Sequence, residues 1–250
     1  MKICFFLYFL FSPAIVFSGV IPETSRVIFD AKNTIKSSIL VNTNKYPVVV
    51  QLWVDDGEFN KKPEQTDTPF VVTPATARME PLKLSEMKII YSGDPQHLPT
   101  DRESLFWINI LEIPPVNKKS QTENEVTLSM LTQIKLIYRP ISLMIKENDL
   151  LTKLDNIKVS LVKESDGVIN LNFSNPEAYV ASLTSVTLLN NDGRKVISLK
   201  NSENMNLTLL PRSLKKIPIN YDEKTSNISS IEYWLVDDIG RFFHKRKSLL

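Results

Sequence analysis

Two histidines, His97 and His244, and a single cysteine, Cys4, are all this chain offers for imidazole and thiol chemistry. Neither histidine stands in the HxxxH spacing that places two ligands on one zinc. His97 lies in Gly93-Asp94-Pro95-Gln96-His97, read as a loop, and His244 in a basic C-terminal stretch, read as a tail. Serine and aspartate are plentiful, yet no GxSxG elbow presents a nucleophile. Six glycines beside 15 prolines leave no GxGxxG or GxxxxGK loop to cradle a phosphate. The residue types therefore point away from an enzyme, a metal protein or a cofactor carrier. Thirty Lys and Arg against 28 Asp and Glu give a net charge of +2, which excludes a strongly basic nucleic-acid binder.

The N-terminus reads Met1-Lys2-Ile3-Cys4, then an apolar run from Phe5 to Phe17, then Ser18-Gly19. One positive charge, a short apolar stretch and a small residue make a secretory signal peptide. The run holds Pro13 and falls short of the roughly 20 apolar residues a membrane span needs. Cleavage is expected after Ser18, and no later segment is apolar enough to span a bilayer. Removal of residues 1–18 takes away Cys4, so disulfides, Cys-ligated metals and Cys nucleophiles are excluded together.

The remaining chain alternates short runs of β-branched and aromatic residues with polar or Pro-bearing turns. Arg26–Phe29, Ser37–Val41, Val48–Val54, Phe70–Val72, Met87–Tyr91, Leu105–Leu111, Val126–Met130 and Ile134–Tyr138 form a first series. Lys158–Val162, Ser185–Leu189, Lys195–Leu199, Leu214–Ile219 and Ile231–Leu235 form a second. Many short strands at roughly ten-residue spacing predict β-sandwiches rather than βαβ units. Asn191-Asp192-Gly193 predicts a hairpin turn with positive φ at its centre. Pro140 cannot donate a ladder hydrogen bond and should end the strand before it. The boundary between two sandwich domains is placed there, giving domains 19–141 and 145–250.

Pro114–Glu125 is almost wholly polar and reads as an exposed loop. The run after it, Val126-Thr127-Leu128-Ser129-Met130, alternates strictly, so Val126, Leu128 and Met130 share one face. Two readings stand open. The three side chains belong to a sandwich core, which is the simpler reading of alternation alone. Or they form an exposed apolar ridge on an edge strand, a template for pairing with another chain.

In order and spacing, a set of fragments resembles the periplasmic chaperones of chaperone–usher pilus assembly. These are Arg26-Val27-Ile28-Phe29, Val72-Thr73-Pro74, Arg78-Met79-Glu80-Pro81, Leu98 to Phe106, Ile113-Pro114-Pro115 and Ile134 to Pro140. Asn175-Pro176, Leu210-Pro211-Arg212-Ser213 and Asp237-Asp238-Ile239-Gly240 resemble the family's looser C-terminal pattern. The resemblance implies an all-β fold of two immunoglobulin-like sandwiches at an angle, with a cleft between them. It implies that the strand Val126–Met130 is lent to a pilus subunit lacking its last strand, the strand-addition mode that is itself a known example. Val126, Leu128 and Met130 would fill the subunit's groove until an outer-membrane usher exchanges the strand.

The same resemblance assigns Arg26 and Lys135 to anchoring the subunit's terminal carboxylate, and Glu103, Arg139 and Asp238 to an interdomain charge cluster. Fixing the subunit's C-terminus would set the register of the paired strands. It implies a periplasmic location, pilus subunits and an usher as partners, and no nucleic acid. Self-association of the free chaperone is a further partner it allows. The moderately long loop, without flanking cysteines, favours the branch that serves rod-like pili. A rival reading is an exported β-sandwich adhesin, with Trp53, Trp107 and Trp234 as sugar-stacking candidates. All three lie in strand-like runs, so core packing is expected of them.

Overall fold

The computed structural model describes residues 19–58, 63–93, 98–116, 128–146, 149–164, 169–201, 206–219 and 227–249. Residues 1–18, His97, Val126 and most of the loop before the strand lie outside the described residues.

Seventeen strands and one short helix are formed among these residues. The first half holds β1 (Val20–Pro22), β2 (Arg26–Asp30), β3 (Ile35–Asn42), β4 (Val48–Asp55), β5 (Phe70–Thr73), β6 (Thr76–Met79), β7 (Leu84–Tyr91), β8 (Ser104–Ile113) and β9 (Met130–Arg139). After α1 (Asp149–Leu154) come β10 (Lys158–Lys163), β11 (Ile169–Asn175), β12 (Ala181–Asn190), β13 (Lys195–Lys200) and β14 (Thr208–Leu209). The last three are β15 (Ser213–Ile219), β16 (Ile228–Val236) and β17 (Phe242–Ser248).

In the first half a sheet ordered β1-β3-β7-β5 packs against one ordered β2-β9-β8-β4-β6. The apolar face of each closes on a core that includes Phe29, Leu40, Met87, Ile89, Ile108 and Leu136. In the second half β10-β11-β15 packs against β13-β12-β16-β17, with β14 beside β12. Its separate core includes Leu154, Leu171, Phe173, Leu188, Ile231 and Tyr233. Two cores, one per sandwich, are what strands with one apolar face must build. Pro140 ends β9 and leads into a single 3-10 turn, Ile141–Leu143.

The pairing of β2 with β9 is parallel, and it sets the charged residues of the two strands side by side. One face of this pair, carrying Val27, Phe29, Leu136 and Tyr138, enters the first core. The other face carries Arg26 opposite Lys135, Ile28 opposite Ile137 and Asp30 opposite Arg139. Ile137 is buried yet belongs to neither core. β9 is thus buried on both faces over its last six residues.

Several expectations are corrected. His244 is not in a tail: it lies on β17 and pairs with Trp234 on β16. Trp234 is 42% exposed rather than packed in a core, because its side chain points to the outer side of an alternating strand. The turn at Asn191–Gly193 has positive φ only at Gly193. There the Asn190 side chain accepts from the Asp192 and Arg194 amides, and a register shift lies nearby in β12. Strands β1, β6, β11, β14 and β17 had no counterpart among the expected runs.

Candidate functional site

Arg26 opens β2 and Lys135 lies midway along β9, directly opposite each other in the parallel ladder. Neighbouring residues of a ladder face the same side, so both cations point away from the core and toward the second sandwich. Each is only 8% exposed. The Lys135 ammonium donates to the Ser182 hydroxyl at 2.9 Å and sits 5.6 Å from the centre of the Trp107 ring. Arg26 Nη1 donates to the Val236 carbonyl at 3.1 Å, while its Nε is buried without a partner.

Two like charges side by side in a poorly hydrated place oppose one another. Burial, then Arg26, then Lys215, lower Lys135 to about 7 from the ordinary lysine value. Burial also lowers Arg26, while Asp238 and Asp237 act in the opposite direction. Around the pair runs an open cleft of about 550 Å3, lined by Arg26, Lys135, Trp107, Ser182, Thr208 and Val236 among others. The Thr208 hydroxyl is a second buried polar atom there without a partner. The cleft thus offers two adjacent cations, each with donor capacity left over, and a free hydroxyl, which is the donor set of a carboxylate receptor.

Gly57 shapes the cleft wall. Its φ of +88° suits glycine, and a Cβ there would lie 2.4 Å from Trp107 Nε1. Only a residue without a side chain lets the backbone approach the indole that carries Lys135.

The charge cluster is assembled at the same junction. Arg139, the last residue of β9, donates from Nε to Glu103 Oε1 at 2.6 Å. Its two terminal nitrogens bridge both oxygens of Asp238 at 2.7 and 3.0 Å. Glu103 Oε2 accepts the Val180 amide of the second sandwich at 2.6 Å. The Arg139 guanidinium also lies 5.6 Å from the Tyr179 ring centre. Burial pushes the Glu103 carboxyl up to about 7, with Arg139 and the Val180 amide pulling the other way. For Arg139 burial works against the charge, but the two carboxylates outweigh it and raise the pKa.

Along β9 the alternating face that buries Leu136 and Ile134 continues through Thr132 to Met130, and Leu128 lies two residues before the strand. Ile134 and Leu136 are in the core, whereas Met130 is 45% and Leu128 80% exposed. Met130 opens β9 and pairs with Glu112 of β8, and the exposed Leu128 precedes the strand. Of the expected donor positions, Leu128 and Met130 are thus exposed apolar side chains, and Val126 lies outside the described residues. Regular strand geometry begins at Met130.

Sequence reasoning did not find Ser182, Thr208 or Gly57. Each reaches the cleft from a segment remote in sequence and carries no local signature. Among the described residues no group of His, Cys, Asp or Glu is placed to hold a metal. No described helix is long and apolar enough to cross a membrane.

Two sandwiches with a cationic cleft between them, and apolar side chains left exposed where β9 begins, define a two-domain β chaperone. Residues 19–144 match the family model of the pili and flagellar-assembly chaperone PapD N-terminal domain, and residues 153–246 that of the pili assembly chaperone PapD C-terminal domain. The chain belongs to this pili assembly chaperone family. It is 30% identical over 231 residues to the chaperone protein FimB/FhaD of Bordetella pertussis, covering 92% of this chain and 87% of that one. It is 29% identical over 240 residues to the probable fimbrial chaperone YadV of Escherichia coli K12, covering 95% and 92%.

Among solved structures, the Pseudomonas aeruginosa CupB2 chaperone matches with a TM-score of 0.70 and 31% identity, over 92% of this chain and all of that one. The Salmonella enterica SafB chaperone, solved in complex with the SafA pilin, contributes a match with a TM-score of 0.68 at 25% identity. That match covers 93% of this chain and 98% of the other.

Proposed function

We propose that this chain is a periplasmic chaperone that holds pilus subunits in the cleft and delivers them to an outer-membrane usher. Residues 1–18 direct export and are removed after Ser18, and the mature chain divides into domains 19–141 and 145–250. Arg26 and Lys135 grip the subunit's C-terminal carboxylate. The strand through Val126, Leu128 and Met130 then completes the subunit's sheet in register with that anchor. Glu103, Arg139 and Asp238 hold the two domains at the angle the cleft requires.

The observation that carries this reading is the pair of buried, adjacent cations facing a cleft, with Lys135 resting on a neutral hydroxyl and Arg26 Nε unpaired. Burying two like charges is costly unless an anion completes the site. Leu128 and Met130, exposed at and just before the start of β9, add the apolar surface a subunit lacking a strand would take up. The complex of SafB with a pilin supplies the kind of partner. Affinity capture of the tagged chain from periplasm tests the reading. Short proteins with an amphipathic C-terminal strand are expected to co-elute, and to be lost with Arg26→Ala. Their capture at wild-type yield by Arg26→Ala would refute the anchor.

Leu128→Glu is expected to weaken capture at least tenfold while leaving the melting temperature of the free chain within about 1–2 °C. An exposed position tolerates a charge within about 0.5 kcal/mol, whereas the same carboxylate in a subunit groove is desolvated. A melting curve beside the pull-down separates the two effects. Loss of cooperative melting would return Leu128 to the core.

Capture also depends on pH. Lys135 is near 7 when the cleft is empty, and a bound carboxylate raises it. Binding therefore takes up a proton above that value. Affinity is expected to be full below about pH 7 and to fall as pH rises from there toward the complexed lysine's pKa. The slope approaches but does not exceed about tenfold per pH unit. Calorimetry in buffers of different ionisation heat at pH 8 reports the proton directly. Zero uptake there would show that Lys135 does not meet the carboxylate.

A further inference from the structure

Glu112, near the end of β8, is buried. Its Oε2 accepts the Val20 amide at 2.7 Å and its Oε1 the Asn44 side-chain amide at 2.8 Å. Both oxygens acting as acceptors is the pattern of an ionised carboxylate. Among the described residues no lysine, arginine or histidine forms an ion pair with it. A buried carboxylate served only by neutral donors lacks its counter-charge.

Gly19 lies against this carboxylate. Its amide donates to Thr43 Oγ1 at 3.0 Å, and its carbonyl accepts from the Thr43 hydroxyl at 2.7 Å and the Thr43 amide at 2.9 Å. A Cβ on Gly19 would stand 3.4 Å from Glu112 Oε2 and 2.6 Å from Met130 Cε. With standard bond lengths, that puts the Gly19 nitrogen within about 6 Å of Glu112 Oε2. Met130 in turn pairs across the ladder with Glu112 itself.

We propose that the α-ammonium of Gly19, created by cleavage after Ser18, is the counter-ion of Glu112 and fastens the mature N-terminus beside Met130, where β9 begins. This inference rests on the export cleavage proposed above. Hydrolysis of the Ser18–Gly19 bond turns one amide N–H into an ammonium with three protons. One is used by Thr43, and two remain for the carboxylate. Before cleavage that nitrogen is neutral and Glu112 has no cation. Processing thus adds a charge at the one buried place nearby that lacks it, and clamps β1 against β3, β8 and Met130. Glu112 is the one charged residue within 4 Å of a Gly19 Cβ, beside neutral Met130; Thr43 bonds the Gly19 backbone, and the turn after β3 also carries Lys45, which is exposed.

The test uses the exported, processed chain. Its intact mass is expected to correspond to Gly19 as first residue, and any other first residue would overturn the cleavage and this inference with it. With that established, one alanine is inserted after Ser18, and the intact mass confirms a mature chain beginning Ala-Gly19. The shifted charge is expected to lower the melting temperature by roughly 5 °C. In the Glu112→Gln background the same insertion is expected to change it by less than about 1 °C. Equal shifts in both backgrounds, or none in the first, would overturn the ion pair while leaving the chaperone reading intact. If Glu112→Gln does not fold, titration of the Gly19 amine by NMR in the chain labelled with 15N-glycine decides. A pKa above the ordinary value of about 8 supports the pair, and one at or below it overturns it.

Discussion

Lys135→Met is expected to melt at a higher temperature than the wild-type chain and to capture no subunit. The two effects share one cause. Lys135 is lowered to about 7, so the folded chain holds that proton less tightly than the unfolded chain does. A base depressed in this way costs stability wherever the unfolded lysine is protonated. The cost is greatest at and below about pH 7, and it disappears as pH approaches the ordinary lysine value near 10.4. Replacing a buried charge with an apolar side chain of similar length recovers on the order of 1–4 kcal/mol. Met also keeps its contact with the Trp107 ring. The loss of the Lys135–Ser182 hydrogen bond offsets about 1 kcal/mol of this. Capture moves the other way, because truncating one partner of a desolvated charge pair costs about 2–5 kcal/mol. A loss of affinity of at least about thirtyfold is expected. Thermal melts at pH 7 and pH 10, beside pull-downs, check both halves. A variant that melts lower at pH 7 would mean that Lys135 is a structural residue and not a functional one held at a stability cost.

How much of this was legible in the residues depends on whether the signal is local. β2, β4 and β9 could be placed because alternation along five to ten residues fixes which side chains face the core. Arg26 and Lys135 were reached by resemblance alone, since each is a lone cation in an apolar strand, and nothing local says that the two strands pair in parallel. That pairing joins segments 109 residues apart in number and is decided by packing. Ser182 and Thr208 enter the cleft from the other sandwich and have no signature whatever. The alternation of Val126–Met130 left core and edge both open. Leu128 and Met130 are exposed where β9 begins, and a periodic pattern states which face is apolar but not how far it is covered. β17 was hidden for a related reason. Phe242-Phe243-His244-Lys245-Arg246-Lys247 looks like a charged tail, yet Lys245 meets Asp155 at 2.5 Å and Arg246 lies 3.7 Å from Glu232. An edge strand carrying charge keeps its open side from pairing with other chains.

Arg139→Met is expected to be the most destabilising of these substitutions, by about 3–5 kcal/mol. Removing one member of a buried ionic group strands the others. Glu103 is 3% exposed and would keep only the Val180 amide, and Asp238 would lose both of its bonds to Arg139. The Coulomb attraction within the triad does not by itself make it stabilising, since burial opposes the charges of Glu103 and Arg139. The prediction therefore has two limbs. Arg139→Met alone should lower the urea midpoint steeply, while Arg139→Met with Glu103→Met and Asp238→Asn should recover most of the loss. What the apolar triple variant should not recover is capture. Arg139, Glu103 and Asp238 bridge residues of both sandwiches, and the bidentate fork fixes their orientation in a way that apolar contacts do not. The Arg26–Lys135 pair lies two ladder rungs or more from Arg139 on the same outward face of β2 and β9. A change in the domain angle would carry Ser182 and Val236 away from the two cations. Wild-type capture by the stable triple variant would reduce the cluster to a local ion pair with no part in setting the cleft.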